Sequence, residues 1–217
     1  NIEGNDYSER IEECSIDASE TEKCGYDTYM EKEINEQPES IERAFAGRID
    51  FEASTAKLSG YDDDIFKRTN KITAMSAGTS WYASLFGGLL IEQYARIPCS
   101  AEFSSELRYK NPIVNKDDIF LAVSQSGETA DTLYAMREIH EKGGSVYGIC
   151  NVVGSSIARE SDGGAFIHAG PEIAVASTKA FSNTLIIYYL LALKFARQRE
   201  MSKEDGAKFI NQIMIDR

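Results

Sequence analysis

From Lys71 onward the chain alternates short apolar runs with helical patterns, and this alternation restricts the fold more than any other feature. Runs at Lys71–Ala77, Cys99–Phe103, Ile119–Ser124, Ser145–Cys150 and Ala165–His168 read as strands. Between and after them, Ser80–Ala95, Ser105–Tyr109, Thr129–Lys142, Ser156–Glu160, Thr178–Arg199 and Lys203–Ile213 read as helices. Strands joined by helices run parallel, because each crossover returns the chain to the same end of the sheet, and a parallel sheet is covered on both faces. The expectation is an α/β fold: a three-layer sandwich with a five-stranded parallel sheet, in the spatial order 2-1-3-4-5, and helices on both faces.

The segment ahead of this core has a different character. Residues 1–28 are polar, acidic and weakly patterned; Asn1–Glu9 reads as disordered and Ile11–Ile16 as a short strand. Tyr29–Gln37 has helical spacing, and Pro38 suits the first turn of a second helix running through Phe45 to a stop at Gly47. Asp62–Lys67 reads as a further short helix. Residues 1–70 carry 19 acids against 8 bases, whereas residues 71–217 carry 16 against 15, so all but one unit of the net charge of −12 belongs to the leading segment. The core is near neutral and offers no basic patch to neutralise phosphates, which disfavours nucleic acid as a partner.

Cys14, Cys24, Cys99 and Cys150 are far apart and form no CxxC pair, so reduced thiols of a cytoplasmic protein are the better reading than zinc or redox chemistry. Two histidines, His140 and His168, cannot build a metal cluster, and no metal or organic cofactor is implied. No basic stretch followed by an apolar one opens the chain, so no secretory signal is read there. The longest apolar run, Leu185–Leu193, falls short of the ~20 residues a membrane span needs and reads as a buried helix.

Ligands of open parallel sheets bind beyond the carboxyl ends of the strands. Three hydroxyl-rich loops take that position: Ser76–Ser80, Ser124–Thr129 and Val175–Lys179. Each precedes a helix, and N-capping alone accounts for Ser and Thr in any one of them. Ser124, Ser126 and Thr129, three hydroxyls within six residues, exceed what capping needs. Backbone amides and a helix dipole add partial positive charge there, and the loop holds no Lys or Arg. Such a site suits a phosphate monoester on a small molecule better than a nucleoside triphosphate, which calls for a Walker-type lysine.

Other polar residues have two readings each. Lys179 pairs either with a phosphate or with a carboxylate. His168, at a strand end, is a general base or, the better reading, a half-buried satisfied histidine. His140 reads as surface. Glu128 is a catalytic acid or a carboxylate complementing a helix dipole. Glu102 and Glu106 face solvent or a subunit interface. Ser124 and Ser126 find no His or Asp partner that would make either a nucleophile.

Taken together, Ser124–Leu133, the upstream Ala77–Ser80, the downstream Gly170–Ala180, the lead-in Glu31–Pro38, and Ile149–Ser156 with Arg159–Asp162 resemble the isomerase part of the glutamine–fructose-6-phosphate aminotransferases (glucosamine-6-phosphate synthases). The resemblance runs in order over roughly residues 10–200. It implies two sugar-isomerase (SIS) domains of flavodoxin-like order following an N-terminal glutaminase domain. This chain would hold the end of the glutaminase domain and a linker (1–28), a helical lead-in (29–70) and the first SIS domain (71–217).

The family's sugar-phosphate contacts carry over to Thr79, Ser80, Ser124, Gln125, Ser126, Thr129, Val175 and Ser177. Ser124, Ser126, Thr129 and the loop amides would hold the phosphate; Thr79, Ser80, Val175 and Ser177 would contact the sugar chain. The family's catalytic glutamate, histidine and lysine belong to the second SIS domain and its tail, so no catalytic residue is assigned here and this chain alone is expected to be inactive. Ala77 stands where a cysteine is frequent in the family, which leaves the loop geometry intact. The implied partners are fructose 6-phosphate, glucosamine 6-phosphate and a second copy of the chain in a homodimer, with neither nucleic acid nor membrane. A non-enzymatic SIS module that senses a phosphosugar and regulates a partner is the alternative, and a flavin-phosphate protein of flavodoxin type a weaker one.

Overall fold

A computed structural model describes residues 21–215 of the chain. Two helices, α1 (Tyr29–Asn35) and α2 (Gln37–Phe45), lead into a hairpin of two-residue strands, β1 (Ile49–Asp50) and β2 (Thr55–Ala56), and a short helix α3 (Asp63–Arg68). The alternating core follows as β3 (Lys71–Ser76), α4 (Gly78–Ala95), β4 (Cys99–Phe103), α5 (Ser104–Leu107), β5 (Asp118–Ser124), α6 (Ala130–Glu141), β6 (Ser145–Cys150), α7 (Ser156–Glu160) and β7 (Gly163–Phe166). Two helices, α8 (Lys179–Arg197) and α9 (Lys203–Ile215), complete it. Local chemistry sets several starts. The Thr28 hydroxyl accepts the Glu31 amide at 3.1 Å to open α1, Pro38 occupies the first turn of α2, and Asp62 accepts the Asp64 amide at 3.1 Å to open α3.

The core sheet is wholly parallel, in the order β4-β3-β5-β6-β7, which is 2-1-3-4-5 in core numbering, as the sequence implies. Ile72 is in register with Cys99 on one side and Ile119 on the other, and Leu121 with Tyr147. Alternate residues of β5 serve opposite layers. Ile119, Leu121 and Val123 join a cluster with Leu90 and Ile91 of α4 and Ile187, Tyr188 and Leu191 of α8. Phe120 and Ala122 join Leu107, Leu133, Met136, Ile139 and Ile157 from α5, α6 and α7. Each such Leu, Ile or Phe contributes about 1.5–3 kcal/mol by leaving water.

The apolar run at Leu185–Leu193 lies in α8, none of whose residues is exposed. It packs between α4 and the lead-in helix α2. A Cβ at Gly87 of α4 would stand 2.1 Å from Cγ of Tyr188, so the missing side chain lets the two helices approach.

Some boundaries differ from expectation. The fifth core strand is Gly163–Phe166, two residues earlier than Ala165–His168, and α8 is shorter at both ends than Thr178–Arg199. The β1–β2 hairpin was not foreseen; two-residue strands carry no readable alternation. The segments Asn1–Glu9 and Ile11–Ile16 lie outside the described residues. For the site, what matters is that β3 has β4 on one side and β5 on the other. The chain departs from β3 in one direction and returns in the other, which opens a crevice at the carboxyl ends of β3 and β5.

Candidate functional site

The Ser124–Thr129 loop leaves β5 inside that crevice. Ser124, only 4% exposed, accepts the Gly127 amide on its Oγ at 3.1 Å, and the same oxygen lies 2.8 Å from Thr129 Oγ1. Ser126 Oγ accepts the Glu128 amide at 3.2 Å. A hydroxyl has one proton to give and two lone pairs. Ser126 therefore keeps its proton for a ligand, and the Ser124–Thr129 pair, which uses one proton internally, keeps another. Thr129 caps α6 without a side-chain bond to its amides, so the first amides of α6 carry the helix's partial positive charge into the loop.

Gly127 makes the turn. Its φ is +67°, and a Cβ there would fall 2.0 Å from Ser155 Oγ. Beside it, burial pushes the Cys150 thiol up to about 12, which leaves it protonated and inert at neutral pH.

The loop after β3 is its neighbour by register, since Ser76 pairs with Val123. Ser76 and Ser84 share a hydrogen bond at 3.2 Å inside the protein, Ala77, Gly78 and Thr79 are exposed, and Ser80 is half-buried. The third loop is tied in through Asn151. Its amide donates to the Gln125 carbonyl at 3.0 Å, its Nδ2 to the Gly170 carbonyl at 2.7 Å, and its Oδ1 accepts the Ala169 amide at 2.8 Å. Beyond that anchor, the Glu172 carboxylate accepts from Ser177 Oγ at 3.0 Å and from the Thr178 and Ala180 amides at 2.9 and 3.1 Å. Val175 is fully exposed at the loop's crest, and Ser177 is half-buried.

Several ionisable residues near these loops have structural partners. Glu128 accepts the Ser156 amide at 2.7 Å, and that bond, helped by Arg159 nearby, holds its carboxyl below the usual glutamate range. Lys179 is 3% exposed and pairs with Glu36 of the lead-in at 2.6 Å. His168 corrects the half-buried reading: it is exposed, two residues past the strand, with φ +53°. Loss of part of the ring's hydration and the cations Arg48 and Arg43 lower its pKa, and Arg43 donates to its carbonyl at 3.5 Å. His140 is half-buried rather than on the surface, 3.3 Å from Asp162. Glu102 pairs with Lys110 at 2.6 Å and Glu106 is exposed.

Asn151, Glu172 and Glu33 (below) are structural keys that sequence reasoning left without a role. All three lie inside the motifs quoted above, which was the available signal. Among the described residues, no group of three or more His, Cys, Asp or Glu side chains is placed to hold a metal, and no helix is long and apolar enough to cross a membrane. The arrangement can cradle an anion with hydroxyls and amides and orient a polar chain attached to it.

The family model described as "SIS domain" matches residues 65–194, which spans all five core strands. The chain belongs to the SIS domain family. It is 46% identical over 206 residues to glutamine–fructose-6-phosphate aminotransferase [isomerizing] of Chlorobaculum tepidum, covering 94% of this chain and 34% of that protein. The like-named protein of Clostridium tetani is 44% identical over 217 residues, covering 98% of this chain and 35% of its own length. The chain thus spans about a third of the length of these curated relatives. Among solved structures, the C-terminal domain of glucosamine-fructose-6-phosphate aminotransferase from Francisella tularensis superposes with a TM-score of 0.83 at 36% identity, covering 89% of this chain and 55% of that one. A Clostridium difficile structure, 21% identical with a TM-score of 0.74 and covering 86% of this chain and 51% of that one, shares the fold.

Proposed function

We propose that this SIS domain is the first of two in an enzyme that makes glucosamine 6-phosphate from fructose 6-phosphate and glutamine, and that it holds the sugar phosphate. The observation that carries this reading is the Ser124–Thr129 loop, a cup of hydroxyls and amides at the start of α6 with no cationic residue of its own. Identity to the aminotransferases over 94% or more of the chain includes the lead-in as well as the SIS core, which supports a synthase over a free-standing phosphosugar sensor.

In this reading Ser126, Thr129 and the loop amides take the phosphate, with Ser124 shaping the cup from beneath and Gln125 held against Asn151. Thr79, Ser80, Val175 and Ser177 line the path of the sugar chain. Ammonia released from glutamine attacks the open-chain ketose at C2, and the imine isomerises as a proton moves from C1 to C2, which requires a positioned acid and base. This domain fixes the phosphate end so that C1 and C2 meet those groups in the right geometry. The acid and base are assigned to a second SIS domain. Residues 1–28 are assigned to the end of a glutaminase domain and its linker, 29–70 to the lead-in and 71–217 to the SIS domain.

Pairing of two copies is part of the proposal. Tyr82, Leu85, Phe86 and Leu89 follow i, i+3, i+4, i+7 spacing on α4 and are each 40% or more exposed, an apolar stripe suited to burial against another subunit. A cytoplasmic setting accords with free thiols at Cys99 and Cys150. Calorimetry of the 217-residue chain with fructose 6-phosphate, glucose 6-phosphate and glucosamine 6-phosphate tests the reading. Saturable binding of fructose 6-phosphate or glucosamine 6-phosphate is expected; heat from none of the three refutes it.

A further inference from the structure

Glu33 of α1 is 2% exposed, yet it carries a carboxylate. Its Oε1 accepts the Ile173 amide at 2.6 Å and the Ala174 amide at 3.1 Å, across 140 and 141 residues of chain. Its Oε2 is buried with no hydrogen-bond partner. A carboxylate is a costly filler for a helix face packed on a loop, because it gives up its hydration and one of its oxygens regains nothing. An apolar side chain would serve packing alone at lower cost. The two amides account for the choice. They lie in a stretch with no strand or helix to pair them, and Glu33 fixes both at once.

The location of this clamp gives it meaning. Glu33 holds residues 173 and 174, while Glu172 holds Ser177, Thr178 and Ala180. Only Val175 and Ala176 stand between the two anchors, and both are exposed. Three further bonds fasten the same lead-in to the start of α8. Glu36 pairs with Lys179 at 2.6 Å, Gln37 accepts from Ser182 Oγ at 2.5 Å, and the Ser40 carbonyl accepts from Asn183 Nδ2 at 3.0 Å. The lead-in helices thus form the floor under the loop that carries Val175 and Ser177.

We infer that Glu33 is a positioning residue for the sugar end of the site: through the backbone at 173–174 it sets where Val175 and Ser177 stand, so that sugar affinity depends on the seating of the lead-in. The inference rests on the reading of this loop as a sugar contact. It separates the two ends of the ligand, because the phosphate cup on β5 and α6 touches neither Glu33 nor α1 in any of the bonds described.

The test compares fructose 6-phosphate with inorganic phosphate by calorimetry on the full 217-residue chain and on E33A and E33Q. Loss of both anchor bonds in E33A should weaken fructose 6-phosphate by about tenfold and leave inorganic phosphate within about twofold, a split that general destabilisation does not produce. E33Q retains an amide oxygen able to accept both donors and should bind fructose 6-phosphate within about threefold of the unmodified chain. Hydrogen exchange adds a measurement that survives a misfolded E33A: in the unmodified chain the Ile173 and Ala174 amides should exchange at least about tenfold more slowly than the exposed Val175 and Ala176 amides. Equal losses for both ligands, no loss for either, an E33Q as impaired as E33A, or unprotected amides at 173–174 would each overturn the role. An unmodified chain that binds no fructose 6-phosphate overturns the site reading along with it, whereas normal binding with an unimpaired E33A overturns the positioning role alone.

Discussion

Ser124 Oγ and Thr129 Oγ1 lie 2.8 Å apart, so the last residue of β5 and the cap of α6 are joined by their side chains across the loop they bound. The pair fixes the cup's width, and it divides the labour among the hydroxyls. Ser124 is buried and holds the Gly127 amide, whereas Ser126 and Thr129 are half-buried and reach outward.

That division can be separated by mutation. The double variant Ser126→Ala with Thr129→Ala removes two of the hydrogen bonds proposed to hold the phosphate, each worth roughly 1.5–3 kcal/mol. Fructose 6-phosphate affinity should fall well over tenfold while the melting temperature moves less than in Ser124→Ala, because the Glu128 amide that Ser126 holds is open to water whereas the Gly127 amide is buried. Ser124→Ala instead leaves the Gly127 amide without its acceptor, at a cost of about 1–3 kcal/mol, so it should lower the melting temperature as well as the affinity. Calorimetry and thermal unfolding on the same samples give both readings. Unchanged affinity in the double variant would place the phosphate elsewhere.

Gly127→Ala should be worse for stability than any of these. The φ of +67° and the 2.0 Å approach to Ser155 Oγ act together, so backbone strain of about 1–2 kcal/mol adds to a steric clash. Adding Ser155→Gly removes the clash and leaves the strain, so the double variant should recover part of the lost stability in denaturant unfolding. Full recovery, or none, would mean that one of the two causes is absent.

The sheet and its loops were legible because their signals are local. Ile119–Val123 is apolar along its length, and Ser124–Thr129 compresses three hydroxyls into one turn. The fifth strand was misplaced because Gly163 and Gly164 look like a turn. In the fold Gly164 has φ +144° and sits against β6, where a Cβ would lie 2.0 Å from the Gly148 carbonyl oxygen. The clamps were invisible for the opposite reason. Glu33 finds Ile173 across 140 residues, and Asn151 joins Gln125 to Ala169 and Gly170; no local pattern encodes partners that only the folded topology brings together.

Glu128 gives the domain an acid-sensitive contact. Its folded pKa is depressed, chiefly by the Ser156 amide, so its contribution is complete above the unfolded-chain value of about 4.3 and is lost as pH falls through the lower folded value. Glu128→Gln should therefore melt below the unmodified chain at pH 7. The gap should narrow steadily once the pH drops under about 4.3, where the unmodified chain takes up its proton. Melting curves recorded from pH 7 down to pH 3 check this; a gap that stays constant would show that the bond to Ser156 does not depend on charge.

The last expectation concerns turnover. Moving a proton between C1 and C2 of the sugar needs an acid or base within hydrogen-bond reach. Glu128 is committed to Ser156, Lys179 to Glu36, and Glu172 to the start of α8. His168 stands exposed beyond β7, tied to the lead-in through its own carbonyl. Glu128, Lys179 and Glu172 thus already serve structural contacts, whereas the carbonyl bond of His168 does not engage its ring; the acid and base are proposed to lie in the second SIS domain. The 217-residue chain should therefore bind fructose 6-phosphate, weakly, and yet form neither glucose 6-phosphate nor glucosamine 6-phosphate, even with saturating sugar and ammonia. Supplying a second SIS domain from the same protein should restore isomerisation. If the chain alone interconverts fructose 6-phosphate and glucose 6-phosphate at an enzymatic rate, either one of these bonds opens in the complex or the His168 ring serves, and Glu128, Lys179 and His168 are the first residues to replace.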